Sequence, residues 1–148
     1  MKNIYLIPTD KPSRVYSKDG NYKLDTITIA MDWYISEGYK PQNINITNNE
    51  DIKEGDWCIV TPFGADKFAK VVRFKKENGT LYNLECKKII LTTDADLIKD
   101  GVQAIDDEFL EWFVNNPSCE KVELKYKDHW DSAFAYYEII IPKEATQI

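Results

Sequence analysis

The amino-acid sequence predicts an α+β protein: a bent antiparallel sheet or a small open β-barrel in the N-terminal part, followed by one or two short helices and a C-terminal β-hairpin. Three observations predict this class. Short runs of β-branched and aromatic residues recur up to residue 92, separated by turn-forming residues. Apolar residues then recur at helical spacing in residues 105–113. Strict alternation of apolar and polar residues returns in residues 121–127, as in a strand with one buried face.

Two dipeptides in the β-rich part predict tight hairpins, Asp19-Gly20 and Asn78-Gly79. These residue types accept the positive φ that a two-residue hairpin turn requires. The second dipeptide predicts that residues 69–76 pair with residues 80–86. Residues 27–39 are compatible with either a short helix or an irregular aromatic loop. Strands are predicted at residues 3–7, 14–17, 22–25, 43–47, 57–62, 69–76, 80–86 and 88–92.

Two helices are predicted after the β-rich part. Residues 94–101 begin with Asp94 as N-cap and end at Gly101. The second and clearer helix begins after Asp106, which can cap its first turn. Its apolar residues share one face and are predicted to belong to the core: Ile105, Phe109, Trp112 and Phe113.

Residues 121–127 and 137–141 form the predicted C-terminal hairpin. The 148 residues are read as one domain spanning 1–148, with a β-rich sub-unit 1–92 and a helix-plus-hairpin sub-unit 93–148 as an alternative. No run approaches the ~20 apolar residues that cross a bilayer, and the N-terminus lacks a signal-peptide pattern, so a cytoplasmic location without membrane contact is predicted. The three cysteines lack a CxxC spacing and are interpreted as reduced packing residues.

Charge is distributed unevenly along the chain. Residues 94–120 contain eight acidic residues and one lysine, a charge of −7, whereas the whole chain carries −6. Residues 65–90 contain seven basic and three acidic residues, a charge of +4. Such asymmetry indicates partner surfaces rather than fold.

Three residue sets are therefore candidates for contact with a partner. The acidic face, predicted to bind a protein, comprises Asp94, Asp96, Asp100, Asp107, Glu108 and Glu111. The basic segment, predicted to bind nucleic acid if the chain does so, comprises Lys67, Lys70, Arg73, Lys75, Lys76, Lys87 and Lys88. The aromatic anchors, large rings in loop-like segments, comprise Trp33, Tyr34, Tyr39, Trp130 and Phe134.

The residue types argue against an enzyme. His129 is the single histidine, so sites that need two histidine ligands are excluded. Asp128 and Asp131 beside it are interpreted as a polar loop rather than as metal ligands. No Walker loop and no GxGxxG occurs, and helix capping explains the paired acids at Asp106. We therefore predict a non-enzymatic protein with no cofactor, no metal site and no small-molecule substrate.

Several blocks of the sequence resemble a known group of proteins. These are KIILTTD at 88–94, DGVQAIDDEFLEWF at 100–113 and NPSCE at 116–120, with IYLIPTDKPSR at 4–14 and IIIP at 139–142. Together they resemble a family of small uncharacterised proteins from phages, prophages and mobile elements of Bacteroidota-type bacteria. No catalytic residues are assigned in that family, so none are transferred.

The resemblance implies an accessory inhibitor of host defence, of the anti-CRISPR type, in the cytoplasm of a bacterial host. Its partner would be the protein effector of a nucleic-acid-targeting defence system, or the guide RNA of that effector. An RNA- or nucleotide-binding small-barrel module that uses the basic segment is the alternative.

Overall fold

The computed structural model describes residues 2–25, 31–62, 69–75, 84–128 and 135–142. Within these ranges the chain forms a large mostly antiparallel sheet, a separate pair of strands and three short helices. The α+β class is therefore confirmed, and the large sheet does not close into a barrel. No helix in the described ranges is long and apolar enough to cross a membrane.

The elements follow one another in this order along the chain: β1 (Ile4–Pro8), β2 (Val15–Lys18), β3 (Asn21–Leu24), α1 (Met31–Ser36), β4 (Lys40–Asn48), β5 (Trp57–Pro62), β6 (Lys70–Arg73), β7 (Leu84–Thr92), α2 (Ala95–Lys99), β8 (Gln103–Ala104), α3 (Asp107–Val114), β9 (Glu123–Asp128) and β10 (Ala135–Ile140). The residues between Asp25 and α1 lie outside the described ranges. Residues 27–39 were predicted to form either a short helix or an irregular loop, and in their described part α1 is a helix.

The large sheet is organised around β4 and β7. Its strand order is β3-β2-β4-β7-β5-β6, and β1 pairs with β4 while β8 pairs in parallel with the end of β7. The β4–β7 register shifts between Ile46 and Thr47, and such a bulge bends the strand that carries it. β9 and β10 form the C-terminal hairpin in a sheet of their own, as predicted.

The first predicted hairpin is confirmed, whereas the described parts of the second, residues 69–75 and 84–86, do not pair with each other. β2 and β3 pair around Asp19 and Gly20, whose φ angles are both positive, 49° and 84°. In contrast, β6 pairs with one side of β5 and β7 pairs with the other side, so β5 separates the two strands that were expected to pair. Asn78-Gly79 itself lies outside the described residues. A turn dipeptide specifies a local reversal, whereas the pairing partner is chosen by long-range contacts.

The described part of the predicted strand 80–86, residues 84–86, continues without a break into the predicted strand 88–92, and together they form β7. Its lysines interrupt the apolar pattern of the sequence, but the fold provides each with polar contacts. Lys87 donates to the hydroxyl of Tyr5, and Lys88 lies beside the carboxylate of Glu50 on the other face. The strand therefore continues through them.

The core lies between the large sheet, α3 and the C-terminal hairpin. Phe109, Leu110 and Phe113 of α3 are fully buried and pack with Val15 and Ile44 of the sheet. The predicted apolar stripe of this helix is therefore core, with Trp112 partly buried beside it. A smaller cluster around Tyr5, Ile59, Ile89 and Leu97 lies beneath α2.

Candidate functional site

Helix caps explain two of the acidic residues near the acidic face. The carboxylate of Asp94 accepts a hydrogen bond from the backbone N–H of Asp96 at 2.9 Å, at the start of α2. The carboxylate of Asp106 accepts one from the backbone N–H of Phe109 at 2.9 Å, at the start of α3. Both caps satisfy a backbone donor that has no partner within its helix. The carboxylates of Asp94 and Asp106 therefore have a structural role as helix caps, which accounts for them without a ligand.

Three members of the acidic face form ion pairs with cations from distant parts of the chain. Lys11 lies 2.7 Å from Asp96, Arg14 lies 2.9 Å from Asp107, and Arg73 lies 2.6 Å from Asp100. The hydrogen bond from Lys11 lowers the pKa of the Asp96 carboxyl, and the same contact raises the pKa of Lys11. All three pairs are solvent-exposed, so each contributes little to stability, and a cationic partner can compete for them.

The remaining two members, Glu108 and Glu111, are exposed on α3. Within the part of the chain that the structure describes, their carboxylates form no ion pair and no hydrogen bond. Because α3 is anchored by three buried side chains, Phe109, Leu110 and Phe113, these carboxylates are presented from a fixed helix.

An apolar groove of about 250 Å³ opens between α2, the start of α3 and the segment before β2. Its apolar lining is formed by Pro12, Ala95, Ile98, Ala104, Ile105 and Leu110. Ile98 remains 37% exposed and forms part of this apolar lining. Ser13, Thr92 and Thr93 add hydroxyl groups to the lining.

The groove lining and much of the acidic face come from the same segments of the chain. Four acidic residues directly adjoin lining residues in the chain, namely Asp94, Asp96, Asp106 and Glu111. Arg14 lines the groove and also binds Asp107, so it joins the groove to the N-terminus of α3. Asp100 is the exception, because it lines a different cleft.

That second cleft, of about 350 Å³, lies between the large sheet and the C-terminal hairpin. Its charged groups largely bind one another. Asp100 accepts hydrogen bonds from the indole of Trp57 and from Arg73, and the guanidinium of Arg73 lies 4.6 Å from the Trp57 ring centroid. Glu50 binds Lys88 and accepts a hydrogen bond from Tyr137. These contacts make the cleft a structural junction.

The described members of the basic segment do not form one continuous surface. Arg73 is bound to Asp100, and Lys88 lies 3.4 Å from Glu50 and 3.7 Å from Asp56. Lys87 points to the opposite face of β7 from Lys88. Lys70 and Lys75 are exposed, and Lys67 and Lys76 lie outside the described residues.

The aromatic anchors differ in exposure. Trp33 of α1 is 59% exposed, and its neighbour Ile35 is 48% exposed. Tyr34 instead stacks on the fully buried Tyr16, with ring centroids 4.6 Å apart, and burial raises its pKa. Tyr39 packs edge-on against Tyr34 at 5.8 Å. Trp130 and Phe134 lie outside the described residues.

The cysteines and the polar loop add no metal centre to the part of the chain described. No cluster of three or more metal-ligating side chains occurs there. Burial raises the pKa of the Cys58 thiol to about 11, so it is protonated and unreactive at neutral pH. Cys86 and Cys119 are free and partly buried. His129 and Asp131 lie outside the described residues.

Sequence reasoning identified the charged residues of this surface but missed the groove. Pro12, Ile98 and Leu110 come from segments that are far apart in the chain, so no sequence window contains the pattern. The one sequence feature that could have indicated the groove is Ile98. This apolar residue follows the buried Leu97 in α2, at a position that core packing does not require to be apolar.

Comparison with known proteins adds no relative: no protein-family model, no curated protein and no solved structure matches the chain. The resemblance to proteins of phages and mobile elements therefore stays a prediction.

Proposed function

We propose that the protein is a non-enzymatic binding protein whose acidic face and adjoining groove receive a cationic, amphipathic segment of a partner protein. The observation that supports this most directly is that Arg14 lines the groove and also binds Asp107 of the acidic face, so the two features meet there. An apolar groove beside exposed carboxylates matches a segment with apolar side chains on one face and Lys or Arg beside them. Its apolar residues would fill the space along Ile98 and Leu110.

The charges of the surface favour a basic partner. Glu108 and Glu111 are exposed, and the carboxylates of Asp96 and Asp107 are held only by solvent-exposed ion pairs. Incoming cations can replace Lys11 and Arg14 with little loss, because such pairs are weak. A net charge of −6 would also steer a cationic partner towards the protein.

The partner class we propose is an effector of a host-defence system that handles nucleic acid. Proteins of this kind have cationic channels for nucleic acid, and an acidic surface can occupy such a channel. The sequence resemblance to proteins of phages and mobile elements points to the same class, so inhibition of the anti-CRISPR type is the proposed outcome. The alternative, RNA or nucleotide binding through the basic segment, has less support because its described members do not share one face: Lys87 and Lys88 lie on opposite faces of β7.

The binding mode can be tested with synthetic helical peptides and fluorescence anisotropy. One peptide carries Leu along one face with Arg at the positions flanking that face, and a second has the same Arg residues with Ser in place of Leu. We expect the first to bind at least about tenfold more tightly, because burial of leucines contributes ~1.5–3 kcal/mol each. Ile98→Asp should remove this preference, and Glu111→Lys should weaken binding and reduce its salt dependence.

Lys70→Glu with Lys75→Glu is the matched control, since both lysines are exposed and lie outside the groove lining. Equal affinity for the two peptides, or unchanged affinity in Ile98→Asp, would contradict the binding mode. The defence role is tested separately, by measuring target cleavage by RNA-guided nuclease effectors with and without the protein. Inhibition should be lost in Ile98→Asp and kept in the lysine double variant; the reverse pattern would favour the nucleic-acid alternative.

A further inference from the structure

A third cavity, of about 290 Å³, lies where the large sheet meets the C-terminal hairpin. Its lining contains three lysines and no carboxylate: Lys2, Asn3, Thr47, Asn48, Asn49, Lys87, Lys121, Leu124 and Tyr137. We call it the lysine pocket. In a protein of net charge −6, charged residues distributed at random around a pocket would include carboxylates as well as lysines. A lining whose charged residues are all lysines is therefore unexpected.

Two of the ammonium groups are held close to the same aromatic ring. The Nζ atoms of Lys2 and Lys87 lie 5.1 and 5.7 Å from the centroid of the Tyr5 ring. Lys87 also donates to the Tyr5 hydroxyl at 3.2 Å and to the backbone carbonyl of Lys2 at 3.3 Å. An ammonium has three donors, so one donor of Lys87 is left for a ligand oxygen.

The pocket is rigidly built around Asn3. Its side-chain amide donates to the carbonyls of Thr47 and Val122 at 3.3 and 2.9 Å, and its oxygen accepts from the N–H of Val122 at 2.9 Å. Its backbone carbonyl accepts from the N–H of Thr47 at 2.9 Å. Asn3 therefore ties the start of β1, the end of β4 and the entry to β9 together, and it positions the neighbouring lysine Lys2.

A polar atom in the pocket wall has no partner in the described part of the chain. The hydroxyl oxygen of Thr47 is fully buried and forms no hydrogen bond there. Burying a hydroxyl without a partner is costly, and native proteins rarely do so without a reason. The carboxylate of Glu50, which contacts the lining residues Asn48 and Tyr137, is also bound by Lys88.

We infer that the lysine pocket binds the phosphate group of a small ligand or of a nucleic-acid strand. Lys87 and Lys121 of the lining supply two charges for a phosphate oxygen and Lys2 adds a third cation, while Thr47 of the same lining has a hydroxyl that is unpartnered within the described residues. The site is separate from the groove and does not depend on the proposed function. It uses Lys87 of the basic segment but not Arg73 or Lys88.

The test is titration of the protein with inorganic phosphate, adenosine 5′-monophosphate, adenosine and a short single-stranded RNA, followed by backbone amide NMR shifts. We expect shifts at Thr47, Lys87 and Lys121 with both phosphate-bearing small ligands and none there with adenosine. Binding of adenosine 5′-monophosphate should strengthen as the pH rises through about 6, where a phosphate monoester gains its second charge. Tighter binding of the RNA than of adenosine 5′-monophosphate, with the same shifted residues, would identify a strand as the source of the phosphate.

Three variants test the residues. Lys87→Met and Thr47→Val preserve side-chain size, and Lys121→Ala changes an exposed residue, so at least that variant keeps the fold. Each lysine variant should weaken phosphate binding about tenfold or more, as expected for a lost charge-assisted hydrogen bond. Lys88→Met, on the opposite face of β7, is the control and should bind normally. Absence of phosphate-induced shifts in the wild type, or equal affinity in Lys121→Ala and Lys88→Met, would overturn the assignment.

Discussion

The side-chain amide of Gln103 forms two hydrogen bonds with the backbone of Tyr137, donating to its carbonyl at 2.7 Å and accepting from its N–H at 2.8 Å. Gln103 belongs to β8, which pairs with β7 of the large sheet, whereas Tyr137 belongs to β10 of the C-terminal hairpin. The side chain of Gln103 thus forms the two backbone hydrogen bonds that a neighbouring strand would otherwise form with Tyr137, and it joins the large sheet to the C-terminal hairpin. A two-stranded hairpin alone is marginally stable, so this contact supports its position.

The first prediction concerns this contact. Gln103→Ala should lower the free energy of unfolding by ~1–3 kcal/mol, because it leaves two partly buried backbone groups of Tyr137 without partners. The Tyr137 amide should also exchange faster with solvent, as measured by hydrogen exchange and NMR. Gln103→Glu keeps the acceptor for that amide but loses the donor, so it should protect the amide more than Ala does. Unchanged exchange at Tyr137 in the Ala variant would refute the role.

A second prediction separates two buried threonines. The hydroxyl of Thr92 donates to the Asn45 side chain at 2.6 Å and accepts from the N–H of Asp94 at 2.9 Å. Thr92→Val should therefore cost ~1–3 kcal/mol. The hydroxyl of Thr47 has no such partner in the described residues, so Thr47→Val should cost less than ~0.5 kcal/mol or stabilise. Urea unfolding of both variants checks this; equal costs would be inconsistent with it.

The third prediction uses neighbouring carboxylates at the start of α3. Asp106 caps the helix, and Asp107 forms only an exposed ion pair with Arg14. Asp106→Ala should cost ~1 kcal/mol, whereas Asp107→Ala should cost ~0.5 kcal/mol or less. Thermal unfolding compares the two. A larger loss for Asp107→Ala would show that the ion pair, not the cap, holds this turn.

The fourth prediction concerns the pH dependence of stability. Burial raises the pKa of the Cys58 thiol from 9.0 to about 11. Between these values the unfolded thiol loses its proton and the folded one keeps it, so the folded state binds more protons and the free energy of unfolding falls as pH rises. Cys58→Ala should remove this part of the decline, as measured by urea unfolding across the interval. Parallel pH profiles for the two proteins would contradict the shifted pKa.

Local rules recovered much of the fold from the sequence. The φ requirement of Asp19-Gly20, the caps Asp94 and Asp106, and the apolar face of α3 each depend on residues within one or two turns of chain. Such features do not require contacts with distant segments of the chain, and all four are present in the structure. The acidic residues were recognised as surface groups for the same reason, since charged side chains on an amphipathic helix face solvent.

Tertiary structure alone decided which strands pair and which charges remain available. β5 lies between β6 and β7 because pairing between distant segments buries the apolar faces of all three, which the local dipeptide signal Asn78-Gly79 in the sequence could not specify. Arg73 and Lys88 were predicted from the sequence as nucleic-acid contacts. In the structure, Asp100 lies beside Arg73 and Glu50 lies beside Lys88. The groove, the lysine pocket and the Gln103–Tyr137 contact likewise join segments far apart in the chain. Their formation depends on long-range packing, whereas the sequence patterns that predicted caps and turns act over only a few residues.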